Sequence, residues 1–222
     1  FVGSAPPGLE GTGCRWYLGK SGTRWRWCAG LLAAQPFDSE LAGDGGRSRR
    51  PMGRVGGPLR ARGAVIDTAE GGRPPLKIRG GKTLTGIHYE MPVASAQVKS
   101  CLLLAGLYAE GITSVTEPAP TRDHTERMLT GFGYHVHRHG APASVTGGRW
   151  LVGGNIDPPP ALSSPAFFLV AATTSAGSHP ALPHCDLTHT RARSHHILRH
   201  LGPAQPNDKR PSHRRETRSR SA

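Results

Sequence analysis

Apolar and polar positions follow their most regular pattern between residues 64 and 136. Residues 87–89 are typical of a strand. Ser95 is the predicted N-cap of the helix that follows, and Gly111 is predicted to end that helix. The apolar residues of this helix recur at helical spacing: Val98, Cys101, Leu102, Ala105 and Tyr108. Residues 112–115 predict the next strand.

A second helix is predicted to begin after Thr121, which we assign as its N-cap. Asp123 and Glu126 would lie in its first turn, where carboxylates complement the helix dipole. Gly131 and Gly133 end this helix, and a short strand follows it. The stretch therefore predicts a β-α-β-α-β unit.

The same elements recur along the chain with a period of roughly 70 residues. A serine-containing turn precedes an apolar helix at Ser21, Ser95 and Ser163. A Leu-x-x-x-Gly helix end follows in phase at residues 59–63, 129–133 and, more loosely, 198–202. Two markers at one period predict an α/β architecture of repeated units rather than a solenoid of helices. We expect about two and a half units, cut out of a larger assembly.

The basic charge of the chain lies mostly outside this regular stretch. The 222 residues carry a formal net charge of +13, with 28 Lys and Arg against 15 Asp and Glu. Residues 203–222 are basic and hold almost no large apolar side chain, so we expect a disordered basic tail there. A non-catalytic basic protein that binds nucleic acid is therefore one alternative. The tail lacks the aromatic residues that stack on bases, so no specific nucleic-acid partner is predicted.

Cysteine spacing and hydropathy indicate the compartment. The four cysteines form no CxxC pair and no disulfide-like cluster, so we expect free thiols in a reducing environment. No apolar run approaches the roughly 18 residues that span a bilayer, and the first residues show no signal-peptide pattern. We therefore predict a cytoplasmic protein that does not associate with membranes.

Histidines alternate at positions 135, 137 and 139, where they would share one face of a strand. Neither a carboxylate nor a cysteine accompanies them, so solvated histidines are the preferred interpretation over a metal site. We predict neither a metal nor a cofactor.

Short motifs before the predicted helices supply groups that bind anions. Gly22 opens the first helix and lets the backbone approach a ligand, although an ordinary Gly/Ser turn explains it as simply. Arg49 and Arg50 precede Pro51, which we predict to be the first residue of a helix. Arginine grips a carboxylate or phosphate at two points, whereas a solvated basic turn is the equal alternative.

The strongest anion-binding signals lie in the second repeat. Ser95, Ala96 and Gln97 place a hydroxyl, a backbone N–H and an amide at the positive end of a helix. A plain N-cap explains Ser95, but capping does not require the donor that Gln97 adds. Arg122 lies at a helix start, where a cation is unfavourable for the dipole unless an anion binds, and this favours a ligand site.

These motifs resemble those of the 3-phosphoshikimate 1-carboxyvinyltransferases, also called EPSP synthases, and the bacterial forms with an SAQ triplet are the best match. The resemblance lies in PVASAQVKSCLLLAGL at 92–107 and EPAPTRDHTE at 117–126. GLLAAQPFDS at 30–39 and RPMGRV at 50–55 continue it in order, and it spans Leu18 to Ala172. The alternative of a related UDP-sugar enolpyruvyl transferase is disfavoured by SAQ and TRDHTE.

The resemblance implies the enolpyruvyl transferase fold, in which two domains of three α/β repeats each bind both substrates in the cleft between them. On that fold, residues 1–158 would form most of one substrate-binding domain, and 159–202 a partial repeat of the second. Matching residue by residue, the contacts implied for shikimate 3-phosphate are Ser95, Ala96, Gln97 and Arg122. Those implied for phosphoenolpyruvate are Gly22, Arg50 and Gln97.

The family's reaction transfers the enolpyruvyl group of phosphoenolpyruvate to the 5-hydroxyl of shikimate 3-phosphate and releases phosphate. Several family motifs are altered or missing in this chain. Lys20 replaces the Asn of the GNSGT turn, and the segments with the catalytic Asp and the later Lys and Arg residues have no counterpart. We therefore expect an internal fragment of a monomeric enzyme, inactive alone, and no family resemblance after Gly202.

Overall fold

The computed structural model describes residues 15–44, 51–138 and 142–154, together with residues 9, 11, 13 and 171. The chain divides into two compact units, Phe1–Gly154 and Asn155–Ala222. Apart from residue 171, the described residues belong to the first unit. The third serine turn, the basic tail and the predicted domain at 159–202 lie outside the described residues, and the predicted domain limits stay predictions. Among the described residues, no helix is long and apolar enough to cross a membrane.

Two successive repeats with the same order of elements make up the described part of the first unit. The first repeat comprises β1 (Arg15–Tyr17), α1 (Gly22–Leu32), β2 (Ser39–Ala42), α2 (Gly53–Ala61), β3 (Val65–Ala69) and β4 (Arg73–Arg79). The second comprises β5 (His88–Glu90), α3 (Ala96–Gly106), β6 (Ile112–Thr116), α4 (His124–Gly131), β7 (Val136–Arg138) and β8 (Pro142–Thr146). The repeated α/β architecture predicted from the sequence is confirmed.

Each repeat forms its own sheet, and the two sheets have equivalent topology. In the described residues the strand orders are β1-β2-β4-β3 and β5-β6-β8-β7. The first two strands of each sheet are parallel, and the last two pair antiparallel. Each unit thus gains a fourth strand, β4 or β8, that the predicted β-α-β-α-β pattern lacked.

Serine N-caps start the first helix of both repeats, as the serine turns predicted. The Ser21 side chain accepts a hydrogen bond from the Arg24 amide at 3.3 Å. Ser95 accepts one from the Val98 amide at 3.4 Å, with extended backbone angles at the cap. Both bonds satisfy an N–H group that has no acceptor within its own helix.

Two predicted helix starts are wrong. Helix α4 begins at His124, so Thr121 is not its N-cap; the Thr121 hydroxyl donates instead to the Glu117 carboxylate. Helix α2 begins at Gly53, so Pro51 precedes the helix rather than forming its first residue. In the first case a contact with a side chain outside the helix outcompetes the local capping pattern.

Helix α3 forms the centre of the core. It packs against α1, α2 and the strands β6 and β8, and every residue from Val98 to Gly106 is buried. The closest approach is to α1, where a Cβ atom built at Gly30 would lie 2.3 Å from the Cys101 carbonyl oxygen. Glycine at this position therefore permits the two helix backbones to touch.

A buried arginine joins the two repeats. Arg62 follows α2 directly and is fully buried. Its guanidinium donates to the carbonyl oxygens of Thr85 (3.1 Å) and Leu102 (3.0 Å) and to the Thr113 hydroxyl (2.6 Å). Burial lowers the pKa of Arg62 to about 10, so the side chain stays charged at neutral pH.

Candidate anion-binding site

The predicted site residues follow the carboxyl ends of parallel strands. Gly22 lies after β1, Ser95 after β5 and Arg122 after β6. Because β5 and β6 run parallel, Ser95 and Arg122 lie at the same edge of the second sheet. Ligands of open α/β sheets bind outside this edge, because the loops and helix N-termini that follow the strands meet there.

A hydrogen bond between repeats joins the N-terminal turns of α1 and α3. The Gln97 side-chain amide donates to the Thr23 hydroxyl at 2.7 Å. Further along the same helices, Gly30 lies against Cys101, so α1 and α3 run in the same direction. Their positive ends therefore lie side by side, and the structure brings the predicted Gly22 turn to the predicted Ser95–Gln97 turn.

The electrostatics of this junction favour an anion. Neither α1 nor α3, both of which the structure describes in full, has an acidic residue in its first turn. Two adjacent helix N-termini therefore present partial positive charge without a neutralising carboxylate in either turn. Gly22, Ser95, Ala96 and Gln97 are all partly exposed, so a ligand in solution can reach them.

The capping serine keeps a donor for a ligand. Ser95 uses an oxygen lone pair to cap α3, which leaves its O–H free to rotate toward an anion. The backbone N–H groups of Ala96 and Gln97 belong to the first helical turn, where no acceptor is available within the helix. The Gln97 side-chain amide donates one hydrogen to Thr23 and has a second hydrogen that it can donate to a ligand. One helix start thus offers several convergent donors.

Arg122 lies in the loop between β6 and α4 and is partly buried. The next residue, Asp123, is the N-cap of α4 rather than a first-turn residue as predicted, and its side chain makes no capping hydrogen bond. The Asp123 carboxylate accepts instead from Arg127 and Arg138, each at 3.0 Å. Burial alone would raise the pKa of Asp123, but these two arginines lower it below the usual carboxyl value.

A buried lysine lies beneath the site, and sequence reasoning missed it. The ammonium of Lys99 lies 2.7 Å from a Glu117 carboxylate oxygen and 2.8 Å from Glu126 Oε1. Glu126, predicted only to complement the helix dipole, is 2 % exposed. The available signal was one lysine inside the apolar run from Val98 to Leu104. A charge in such a position needs a buried partner.

Two candidate site residues lie outside the part of the chain that the structure describes. Arg50, the remaining predicted phosphoenolpyruvate contact, lies outside the described residues, as does His139. The rings of His135 and His137 stack with centroids 4.5 Å apart, as expected for alternate residues on one face. In the described part of the chain, no group of three His, Cys, Asp or Glu side chains is arranged to hold a metal.

Comparison with known proteins identifies the family. A model of the family EPSP synthase (3-phosphoshikimate 1-carboxyvinyltransferase) matches residues 4–219. The chain belongs to the EPSP synthase family. This match extends beyond the Leu18–Ala172 span of the motifs and past Gly202, so the expectation of no family resemblance after Gly202 is corrected.

Individual relatives agree with this assignment. The 3-phosphoshikimate 1-carboxyvinyltransferases of Alkalilimnicola ehrlichii and Methylococcus capsulatus are each 58% identical to the chain over 185 residues. The alignment covers 83% of this chain and 42% of either relative, so the chain spans less than half of their length. A solved EPSP synthase from Acinetobacter baumannii superposes with a TM-score of 0.78 at 51% identity, covering 87% of this chain and 44% of that one. The predicted enolpyruvyl transferase fold is thereby confirmed.

Proposed function

We propose that this chain supplies the shikimate 3-phosphate site and part of the phosphoenolpyruvate site of a 3-phosphoshikimate 1-carboxyvinyltransferase. The observation that carries the proposal is the Gln97–Thr23 hydrogen bond, which joins two helix N-termini at the edge where Ser95 and Arg122 also lie. Family membership supports this reaction over that of the UDP-sugar enolpyruvyl transferases. A cytoplasmic location and a monomeric parent enzyme belong to the same proposal.

The phosphate of shikimate 3-phosphate binds to the second repeat. The Ser95 hydroxyl, the Ala96 amide and the free amide hydrogen of Gln97 donate to its oxygens at the positive end of α3. The Arg122 guanidinium donates from the neighbouring loop, where its charge and planar fork match a phosphate. These groups are fixed before the substrate arrives, so little ordering is needed on binding.

Phosphoenolpyruvate binds beside the first repeat. Gly22 has no side chain at the start of α1, which lets an anionic ligand approach the backbone N–H groups of that turn. Arg50 grips a carboxylate or phosphate of this substrate, and Gln97 contacts both substrates from the junction between the helices. The shared residue sets the spacing between the two reactants, which lowers the entropic part of the barrier.

In the proposed reaction, the 5-hydroxyl of shikimate 3-phosphate gives its proton to a base, and its oxygen adds to C2 of phosphoenolpyruvate while an acid protonates C3. The tetrahedral intermediate then expels phosphate, and C3 loses a proton to restore the double bond. The fixed donors of this chain stabilise the negative charge on the phosphate groups throughout. The acid and base belong to family segments that have no counterpart in this sequence, so the chain alone is inactive.

Isothermal titration calorimetry with shikimate 3-phosphate tests the substrate site. The substitutions Arg122→Ala and Ser95→Ala should each weaken binding, Arg122→Ala by at least about tenfold because it removes a charge-assisted hydrogen bond. Arg15→Ala is the matched control, since Arg15 is an exposed arginine at the start of β1, paired with Glu40 at 2.9 Å. The affinity of the Arg15→Ala variant for shikimate 3-phosphate should equal that of the wild type.

Two results would contradict the proposal. The first is the absence of any heat of binding for the wild-type chain, and the second is an equal loss of affinity in the Arg15 and Arg122 variants. Inactivity is tested separately by supplying both substrates and measuring phosphate release. Turnover by the 222-residue chain would show that it holds an acid and a base of its own.

A further inference from the structure

We infer that Lys99 is a positioning residue that fixes Arg122 relative to the Ser95–Gln97 turn. The inference rests on the proposed function, in which Arg122 and that turn hold the same phosphate. Lys99 lies one helical turn after Ser95, and its backbone N–H donates to the Ser95 carbonyl oxygen at 3.0 Å. The backbone of Lys99 is therefore fixed one helical turn below Ser95.

The two carboxylates that pair with Lys99 come from opposite ends of the segment that carries Arg122. Glu117 directly follows β6, and its carboxylate oxygen lies 2.7 Å from the Lys99 ammonium. Glu126 lies in the first turn of α4, with Oε1 at 2.8 Å from the same ammonium. A single side chain of α3 thus holds both ends of the 117–126 segment.

Further hydrogen bonds tie this segment to the same cluster. The Thr121 hydroxyl, directly before Arg122, donates to the second oxygen of the Glu117 carboxylate. The hydroxyls of Ser100 and Thr125, the chain neighbours of Lys99 and Glu126, are hydrogen-bonded at 2.6 Å. Arg122 therefore belongs to a loop whose entry and exit contact α3 directly, and whose middle is tied to the entry through Glu117.

Stability alone does not account for a charged cluster in this place. The exposed fractions of the Lys99, Glu117 and Glu126 side chains are 1%, 9% and 2%. Two buried carboxylates share one buried ammonium, and a further cation, Arg138, lies 3.9 Å from Glu126 Oε1. Apolar residues of similar volume often replace buried ion pairs at little cost in stability. A hydrogen bond to Glu117 at one end of the Arg122 loop and an ion pair with Glu126 at the other are what an apolar side chain at position 99 could not provide.

Loss of Lys99 should therefore change ligand binding in a specific way. Without the ammonium, the Glu117 and Glu126 carboxylates repel each other, and the loop between them shifts relative to α3. Phosphate recognition needs donors held within a few tenths of an ångström, so a displaced Arg122 loses much of its contribution. Ser95 and the N–H groups of α3 stay in place, since Ser95 caps that helix independently.

A double-mutant cycle on the full 222-residue chain tests this, with the dissociation constant for shikimate 3-phosphate as the readout. Lys99→Met should weaken binding at least about fivefold in the wild-type background, and by less than about twofold when Arg122→Ala is already present. Thr121→Val removes only the hydrogen bond to Glu117 and should weaken binding by about threefold, again only when Arg122 is present. The matched control is Thr130→Val, which removes a hydroxyl bonded to the Glu126 carbonyl within α4 and should leave the affinity unchanged.

The outcomes separate this inference from the proposed function. If the wild-type chain does not bind shikimate 3-phosphate, both are overturned together. If Arg122→Ala weakens binding but the Lys99 and Thr121 variants bind like the wild type, only the positioning role is overturned. Equal losses with and without Arg122 would likewise show that Lys99 acts through general stability. Should Lys99→Met fail to fold, Thr121→Val decides the question because it leaves every buried charge in place.

Discussion

Replacing Gly30 by alanine should destabilise the protein, although alanine is the better helix former. Gly30 lies inside α1, where it faces α3. The new Cβ atom would lie 2.3 Å from the Cys101 carbonyl oxygen, 3.0 Å from its carbonyl carbon and 3.1 Å from its sulfur. The first contact is with backbone, which cannot turn aside as a flexible side chain would.

The size of the effect follows from two opposing contributions. An alanine in a helix interior is favoured over glycine by about 1 kcal/mol. Overpacking of a core costs about 1 to 3 kcal/mol, and a contact this short with backbone belongs at the upper end of that range. The net expectation is a loss of about 2 kcal/mol in the free energy of unfolding. Relief of the clash would also move α1 away from α3 and stretch the Gln97–Thr23 hydrogen bond.

Urea unfolding followed by tryptophan fluorescence measures this change, because buried Trp25 lies on α1 itself. Gly53→Ala is the matched control. Gly53 lies in the first turn of α2, and a Cβ atom added there would meet open space, with no atom of a neighbouring element within 4 Å. The control should be more stable than the wild type by about 0.4 to 1 kcal/mol. If Gly30→Ala were stabilising to the same degree, the close crossing of α1 and α3 would be refuted.

Three further predictions concern buried or hydrogen-bonded groups. Arg62→Lys should lower the free energy of unfolding by about 2 kcal/mol, because an ammonium cannot reach the three acceptors of the guanidinium; an unchanged urea midpoint would contradict this. The Gly80 amide, together with Arg79, lowers the pKa of Asp38 below its ordinary value of 3.8. The charged carboxylate therefore adds stability above that pH and loses it as the pH falls through the lower folded-state pKa. The stability difference between wild type and Asp38→Asn should shrink between neutral pH and about pH 3, and a constant difference would refute the assignment. Burial raises the pKa of Cys101 to about 12, so iodoacetamide at about pH 8 should alkylate it only after unfolding, and peptide mass spectrometry of the native protein would detect any earlier reaction.

Local signals in the sequence were sufficient to predict the helix starts at Ser21 and Ser95. Their capping bonds reach only three residues along the chain, so the sequence pattern contains both partners. The predicted cap at Thr121 was wrong because its hydroxyl bonds the carboxylate of Glu117, four residues earlier, which the buried Lys99 holds in place. Capping patterns predict well only where no other acceptor competes for the same hydroxyl.

Strand β4 could not be predicted, because Pro74 and Pro75 disfavour strands, above all a strand that pairs on both sides. The structure tolerates them at an irregularity, where the pairing with β3 shifts between Thr68 and Ala69. The position of this irregularity depends on the partner strand β3 as well as on the prolines. The sequence of β4 by itself therefore does not show that its prolines can be accommodated.

The candidate site shows the same division between local and distant information. Ser95, Ala96 and Gln97 were found because one helix start contains all three. The bond from Gln97 to Thr23 spans 74 residues, and the pairing of Lys99 with Glu117 spans 18. These contacts exist only after the repeats have packed, so a single sequence gave the donors but not their arrangement.

The Arg62 side chain limits how far the two repeats can be treated as separable modules. Its acceptors Leu102 and Thr113 belong to the second repeat, while Arg62 itself ends a helix of the first. Separating the repeats would break these hydrogen bonds and expose to water the core that α3 shares with α1 and α2. The duplicated units are therefore not interchangeable building blocks, because each buries groups that belong to the other.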